Sequence, residues 1–205
     1  TYTTIATVID GLGTVRETTT TGESFRLLND GTTEVATGGY ITIAHNNEYG
    51  YLIDQTTEGE SYMFGDSSII TSTYTTTSDI DVASGIPGVN QIDGFGTVRE
   101  SITAGISCKT PAYKVGSYQT ISQFNVYGTL AETVTNGVTH KVNAPAIIVS
   151  TYVTEAYSGM AQKYDGFSNP ARMQIDGFGT MRQSKTVTTS ADGEATTTLS
   201  DYDQY

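Results

Sequence analysis

The sequence predicts an all-β chain made of two tandem, duplicated antiparallel β-sandwich-like modules plus an extra terminal strand. A nine-residue segment that occurs three times at a constant spacing indicates the duplication. Threonine (37 residues) and tyrosine (14 residues) are abundant, and β-branched and aromatic side chains favour strands. Turn dipeptides recur about every ten residues, which is typical of a sandwich or barrel. No stretch has sustained helical spacing of apolar residues, so we expect no helix longer than a turn or two.

The three copies of the segment begin at Ile9, Ile92 and Ile175, so both intervals are 83 residues. The chain therefore contains two full units and the opening of a third. Proline at positions 87 and 170 interrupts strand pairing just ahead of the second and third copies. We place the module boundaries there: module 1 with its N-terminal strand at 1–87, module 2 at 88–170, and a partial third repeat, a strand or hairpin, at 171–205.

Along the chain, residues 1–9 form a strand sequence without a breaker, and Asp10-Gly11 follows as a tight reversal. Residues 14–21 form the next strand, which Gly22 ends. Alternating patterns at 69–74 and 147–152 mark two further long strands. Other dipeptides are predicted turns: Asp30-Gly31, Gly38-Gly39, Asn136-Gly137, Asp165-Gly166 and Asp192-Gly193.

A weaker echo of the repeated segment occurs inside each unit, at 50–57 and 128–135. All five copies place an apolar residue two positions before an acid or, once, a glutamine. Residues two apart share a strand face, so we expect the apolar residue to face the core and the acid to lie near its rim. The apolar site is Val15, Leu52, Val98, Leu130 and Met181; the acid site is Glu17, Asp54, Glu100, Glu132 and Gln183. Duplicated hairpins inside duplicated units explain this pattern.

The repeated segment also carries the candidate metal ligands. Asp10, Asp93 and Asp176 are weak candidates for Ca²⁺, which takes oxygen ligands. Calcium loops usually supply several carboxylates at short spacing, whereas each segment has one Asp followed by two glycines. The alternative is an Asp that closes its own turn through its side chain. The motif arginines, Arg16, Arg99 and Arg182, are then predicted to form structural ion pairs. We expect no cofactor, Ca²⁺ apart.

Charge and composition limit the function classes. The formal net charge of −12 argues against binding nucleic acid or anionic membrane. No apolar run approaches the roughly 18 residues of a transmembrane helix, so membrane insertion is not expected. No nucleophile, zinc or phosphate-loop motif occurs, and we predict no enzymatic activity. The single cysteine, Cys108, corresponds to Phe25 in the first unit, and we predict that both are buried core positions.

The leading functional hypothesis comes from counting strands. Two modules leave one terminal motif strand without a groove of its own, and an unpaired strand invites another chain. We therefore expect an exported, extracellular or cell-surface protein whose partners are copies of itself, joined by strand exchange into a filament, pilus-like fibre or sheath. Closure of the spare strand within its own chain is the competing interpretation. The predicted assembly strand contains Tyr2, Ile5, Val8 and Ile9, with Tyr2 or Thr4, Ala6 and Val8 on one face. Residues 180–189, near the other end of the chain, are the alternative donor strand.

A binding module for glycan or ice is the alternative from a different class. Thr-rich strands such as 71–77 present hydroxyl groups that could meet either ligand. An ordinary solvent-facing strand explains the same residues, since threonine favours strands.

Overall fold

The computed structural model describes residues 1–29, 31–63, 66–110, 113–142, 144–158 and 174–202. These residues form eleven strands in a single antiparallel sheet, in which every strand pairs with its neighbours in sequence. The prediction of an all-β chain is confirmed. The strands are β1 (Tyr2–Ile9), β2 (Val15–Leu27), β3 (Glu34–Asn46), β4 (Leu52–Met63), β5 (Asp66–Asp79), β6 (Glu100–Thr110), β7 (Tyr113–Phe124), β8 (Leu130–Lys141), β9 (Ala144–Tyr157), β10 (Gln183–Ser190) and β11 (Ala195–Asp201).

The two sandwich-like modules are not confirmed. A sandwich needs a second sheet over the first, and the described residues form one open layer. Pairing also continues across the boundary expected near residue 87, because β5 and β6 pair, with Thr76 opposite Thr103. Residues 80–99 connect these adjacent strands of the same sheet, and the segment 80–91 is the part of that connection before the second copy of the repeated segment. The second expected boundary, at 168–170, lies outside the described residues.

Strand register divides the sheet into two chemically different faces. One face, here called the hydroxyl face, has rows of serine, threonine, glycine, alanine and tyrosine. One of its rows is a threonine at the same level of all eleven strands: Thr4, Thr20, Thr42, Thr57, Thr76, Thr103, Thr120, Thr135, Thr154, Thr186 and Thr198. We call this row the threonine ladder.

A second row of the hydroxyl face alternates tyrosine with glycine. Its members are Tyr2, Gly22, Tyr40, Gly59, Tyr74, Gly105, Tyr118, Gly137 and Tyr152. A Cβ built on Gly105 would lie 2.3 Å from the Tyr118 ring, and Gly22, Gly59 and Gly137 are overlaid in the same way. Four tyrosines of the row therefore each lie over a glycine of the preceding strand: Tyr40, Tyr74, Tyr118 and Tyr152.

Close approach of a neighbouring strand explains why two predicted turns are wrong. Gly38-Gly39 lies inside β3 and Asn136-Gly137 inside β8. The prediction that Gly22 ends the second strand is also wrong, because Gly22 lies inside β2 under the Tyr40 ring. Glycine is unfavourable in a strand interior unless something approaches its backbone closely. At Gly137 the close neighbour is the Tyr152 ring, and at Gly38 it is the backbone carbonyl of Glu60. Asp192-Gly193, in contrast, is the turn between β10 and β11.

The opposite face, here called the acidic face, carries the charges of the central rows. Its acids are Glu17, Glu23, Asp54, Glu58, Glu60, Asp79, Glu100, Glu132, Glu155 and Asp201. Aliphatic residues such as Ile43, Ile102 and Ile121 occupy the same face. The four central rows of the hydroxyl face, at the levels of Ser72, Tyr74, Thr76 and Ser78, contain no charged side chain, so register alone separates the two chemistries there.

The sheet has almost no hydrophobic core. Ile92, Ala156 and Ile175 are the buried apolar residues of the described ranges. Phe25 and Cys108 do occupy equivalent positions, each after a bulge in its strand, but the prediction that they are buried is wrong. Phe25 is 42% exposed and Cys108 is half-buried, because a single layer has no facing sheet to cover them. Among the described residues, no helix has the length and apolar character needed to cross a membrane.

Candidate functional site: a row of turns and a hydroxyl face

Five turns of the same geometry lie along one end of the sheet, one at each copy of the repeated segment and its echo. In the first, the Asp10 carboxylate accepts hydrogen bonds from the backbone N–H groups of Leu12 and Thr14, both at 2.9 Å. Asn47, Asp93, Asn125 and Asp176 accept the equivalent pairs of bonds at 2.9–3.1 Å. The prediction that the segment aspartates bond local backbone is therefore confirmed.

Each turn needs a glycine with positive φ three residues after the Asp or Asn. Gly13, Gly50, Gly96, Gly128 and Gly179 all have φ between 73° and 87°. Only glycine adopts this conformation without strain. The echoes at 50–57 and 128–135 are thus the same turn-and-strand element as the three main copies, which explains the duplicated-hairpin pattern in structural terms.

Charge follows a simple rule among the five turns. The three that begin with aspartate have the motif arginine six residues later, and the two that begin with asparagine have Ile53 or Ala131 there. Arg16 lies 3.7 Å from Asp10, Arg99 lies 3.8 Å from Asp93, and Arg182 lies 2.8 Å from Asp176. An ionised turn residue thus has a cation beside it, and a neutral one has none.

The electrostatics of the turn carboxylates follow from these contacts. The backbone N–H of Thr14 is the largest cause that lowers the pKa of Asp10, and Arg16 adds to it. The N–H of Thr180 similarly lowers the pKa of Asp176, with Arg182 contributing. Among the described residues, no three His, Cys, Asp or Glu side chains are grouped so that they could hold a metal ion. Asp10, Asp93 and Asp176 each stand as the single carboxylate of their turn.

The residue two positions after the Asp or Asn is exposed to solvent in every turn. These five residues are large and apolar, and we call them the turn-tip row: Leu12 (93% exposed), Tyr49 (75%), Phe95 (81%), Tyr127 (86%) and Phe178 (91%). Exposed apolar residues arranged together commonly mark an interaction surface.

The threonine ladder is ordered by hydrogen bonds between its own hydroxyl groups. Five pairs of Oγ1 atoms from adjacent strands lie 2.7–2.9 Å apart: Thr4 with Thr20, Thr42 with Thr57, Thr76 with Thr103, Thr120 with Thr135, and Thr154 with Thr186. The hydroxyl face therefore presents a fixed, uncharged array, with neighbouring strands about 4.8 Å apart.

The predicted assembly strand is β1, and it pairs with β2 of its own chain. All eight of its residues are exposed; Tyr2, Ile5, Val8 and Ile9 are 46–76% exposed. The predicted grouping of Tyr2, Thr4, Ala6 and Val8 on one face is wrong at Val8. A bulge at Thr7 places Val8 opposite Glu17, because one extra residue reverses the alternation of a strand.

His45 forms an interstrand ion-pair cluster on the acidic face. Its Nδ1 lies 2.6 Å from Asp54 Oδ1, and its Nε2 lies 3.3 Å from Glu17 Oε2. The hydrogen bond with Asp54 is the largest cause that raises the pKa of His45, and Glu17 adds to it. Gln123 takes the equivalent place in the second unit, between Glu100 and Glu132.

Sequence reasoning identified the turns and the arginines but missed the ladder and the tyrosine–glycine row. The signal was present as Ser-x-Tyr-x-Thr, which occurs at Ser72-Tyr74-Thr76 and again at Ser150-Tyr152-Thr154. Only the strand register shows that one threonine from each of the eleven strands lies in the same row. No protein-family model matches this chain, and no curated protein sequence is similar to it.

Proposed function

We propose that this chain is a non-enzymatic structural protein that assembles with copies of itself outside the cell, and that copies pack through their hydroxyl faces. The observation that carries the proposal is the uncharged, hydroxyl-lined face of a single-layer sheet that buries almost no apolar side chain of its own.

A single layer is an incomplete unit of protein architecture. Stable domains pack at least two layers around a core, and wide sheets are usually supported by stacking or by side-chain ladders. This chain has the side-chain ladder, and its described strands form one layer. A second copy of the chain would supply the stacking. Two copies packed face to face would form between chains the two-layer sandwich that the sequence predicts within one.

Charge selects the face. Packing two acidic faces would bring acids such as Glu58 and Glu60 of both copies together, and burying unpaired charge is costly. The four central rows of the hydroxyl face carry no charge, and their serine, glycine and alanine side chains are short. Two such faces approach closely without desolvating an ion, and their hydroxyl groups can pair across the interface.

The available area is sufficient. Eleven strands about 4.8 Å apart, with about seven residues of 3.3 Å rise in the central rows, give roughly 1,000 Å² for each copy. A stable complex typically buries about 800 Å² for each partner. The hydroxyl face alone therefore meets the size of a stable interface.

A pair of neighbouring threonines offers a matched test. Thr76 lies in the ladder and is half-buried, and Thr77 lies next to it on the same strand but on the acidic face, where it is exposed. Thr76→Lys should place a buried charge in the stacked interface and reduce association at least tenfold, whereas Thr77→Lys should leave association unchanged. Analytical ultracentrifugation and negative-stain electron microscopy measure both outcomes.

Stability gives a second readout, because binding stabilises only the folded state. The wild-type melting temperature should rise with protein concentration, and that of Thr76→Lys should not. A wild-type protein that stays monomeric with a concentration-independent melting temperature would contradict the proposal.

Growth of stacked pairs into a filament, pilus-like fibre or sheath needs a second contact, and strand exchange through β1 remains our prediction for it. The exposed apolar residues of β1, including Ile5 and Ile9, support this choice. Exchange requires β1 to leave β2 of its own chain and pair in a neighbour.

A binding module for ice or glycan is the second candidate, and the threonine ladder favours it. A straight row of hydroxyl groups at one strand spacing is a regular surface for an ordered lattice or a polymer. A monomeric protein that inhibits ice recrystallisation, and loses that effect in Thr76→Lys but not in Thr77→Lys, would support this candidate over assembly.

A further inference from the structure

We infer that the turn-tip row is a binding site for an extended polysaccharide, separate from the hydroxyl face and independent of its proposed role. The row consists of Leu12, Tyr49, Phe95, Tyr127 and Phe178, one from each of the five equivalent turns.

The five turns form one continuous row rather than isolated loops. A Cβ built on Gly50 would lie 3.7 Å from the Thr14 side chain of the preceding turn, and one on Gly128 would lie 3.6 Å from that of Thr97. A Cβ built on Gly96 would lie 2.7 Å from the backbone nitrogen of Leu52, and one built on Gly179 would lie 2.7 Å from the Thr129 side chain. Each turn is thus held against the one before it, and the tips are fixed relative to one another.

The tip side chains have no evident structural role. The conformation of each turn is set by its Asp or Asn and by its positive-φ glycine. A polar residue at the tip would satisfy the same geometry, and exposed aromatic side chains reduce solubility. Four of the five tips are nonetheless aromatic, which a ligand that stacks on flat rings would explain.

The spacing points to a polymer. Successive turns are two strands apart, so the tips repeat about every 10 Å along the sheet end. Two sugar rings of an extended, β-1,4-linked chain have a similar length, and such a chain presents one flat ring face at each repeat. Successive rings of one ligand can therefore stack on successive tips, so that weak contacts add along the chain.

A cleft of about 810 Å³ lies between two of these tips, Phe95 and Tyr127. The connection 80–91 forms its wall through Ile80, Val89 and Asn90. Arg99 also lines it, and its side chain is 12% exposed. Ligand sites typically combine apolar and aromatic surface with a few polar groups in a cleft of this size. Aromatic faces with adjacent amide and guanidinium groups suit the flat faces and hydroxyl edges of sugars.

The charge of the chain argues against other ligands for the same row. Aromatic tips also insert into membrane interfaces, but a net charge of −12 repels anionic lipid and nucleic acid. Asp93 and Asp176, at the base of their turns, would be brought close to a lipid surface. A neutral polysaccharide carries no charge that the acidic chain or the turn aspartates would repel.

Co-sedimentation with insoluble cellulose and chitin tests the inference with the full chain. The wild type should bind at least one of them. The double variant Phe95→Ala/Tyr127→Ala should bind at least tenfold more weakly, because aromatic anchors commonly dominate such contacts. Tyr113→Ala removes a 44% exposed tyrosine at the opposite end of the sheet and should bind as the wild type does. Leu12→Tyr should strengthen binding by completing the aromatic row.

Circular dichroism of each variant checks that the sheet is retained, and electron microscopy checks that assembly is retained. A wild type that binds neither polymer, or binding that Phe95→Ala/Tyr127→Ala leaves unchanged, would overturn the inference. Tip-dependent binding to phosphatidylcholine vesicles without binding to cellulose or chitin would also overturn it and assign the row to a membrane surface. Loss of assembly in the tip variants would assign it to contacts between copies.

Discussion

At the scale of single residues, the turns show how charge and hydrogen bonding are matched. Asp10 and Asn47 accept the same two backbone hydrogen bonds, so an oxygen in that position is what the turn requires. Aspartate adds a negative charge, and Arg16 lies beside it; Asn47 is neutral, and Ile53 takes the arginine position. The motif arginine therefore balances charge and is not needed for the turn itself.

His45 gives a pH-dependent prediction at this scale. Because Asp54 and Glu17 raise its pKa, the charged form stabilises the folded chain below its ordinary pKa. That contribution is lost as the pH rises through the raised, folded-state pKa. His45→Gln, which copies Gln123, should remove this pH dependence. The change should be about 1 kcal/mol or less, because the side chain is 42% exposed and such pairs are screened.

Urea denaturation of wild type and His45→Gln from mildly acidic to mildly alkaline pH measures the effect. Equal pH dependence of the two proteins would show that the cluster does not contribute to stability.

At the scale of strands, the tyrosine–glycine pairs connect the strands of each hairpin. Tyr40, Tyr74, Tyr118 and Tyr152 each cover a glycine of the preceding strand, which shields backbone that a glycine leaves open. Burial is the largest cause that raises the pKa of Tyr118, with Tyr152 and Tyr74 close by. In a sheet with few buried side chains, these rings supply packing that a core would otherwise provide.

Gly105→Ala should therefore destabilise the chain by about 1–3 kcal/mol, because its new Cβ would displace the Tyr118 ring. Gly94→Ala adds a methyl group where no atom lies within 4 Å and should have little effect. The cost of Gly105→Ala should disappear in a Tyr118→Ala background, which a double-mutant cycle measured by chemical denaturation would show. An unchanged cost in that background would mean that the ring is not the source of the strain.

At the scale of the whole molecule, the sheet is held by ladders and pairing rather than by a core. Three apolar residues are buried in the described ranges. Two of them, Ile92 and Ile175, are the first residues of the second and third copies of the repeated segment. Hydrophobic burial is usually the dominant stabilising term in folding. A chain with this architecture gains that term when another layer covers it, which is why we propose assembly.

Deleting residues 1–9 tests strand exchange as the route to length. The hydroxyl face remains largely intact without β1, so stacked pairs should still form, while long polymers should not. A synthetic peptide of residues 1–9 should bind the truncated chain and raise its melting temperature. Electron microscopy and light scattering report polymer length. Polymers of normal length after this deletion and after truncation of the chain from residue 180 onwards would exclude strand donation as the mechanism.

The sequence by itself determined the all-β class, the strands at 1–9, 69–74 and 147–152, the repeat, and the turns that begin with Asp10, Asp93 and Asp176. These features depend on local chemistry: β-branched side chains favour extended backbone, and Asp or Asn followed by glycine favours a reversal. The echo at 50–57 was recognisable for the same reason, since its turn uses the same residue types.

Only the tertiary structure decided that the strands form one layer and that their threonines align. Alternation of side chains defines two faces of a strand, but it does not specify which strand lies opposite. Thr76 meets Thr103 because the sheet continues past the 80–91 connection. Gly38-Gly39 is a strand because Glu60 and Ser61 of β4 lie beside it. Such pairings join residues distant in sequence, and one bulge, as at Thr7, reverses the faces beyond it.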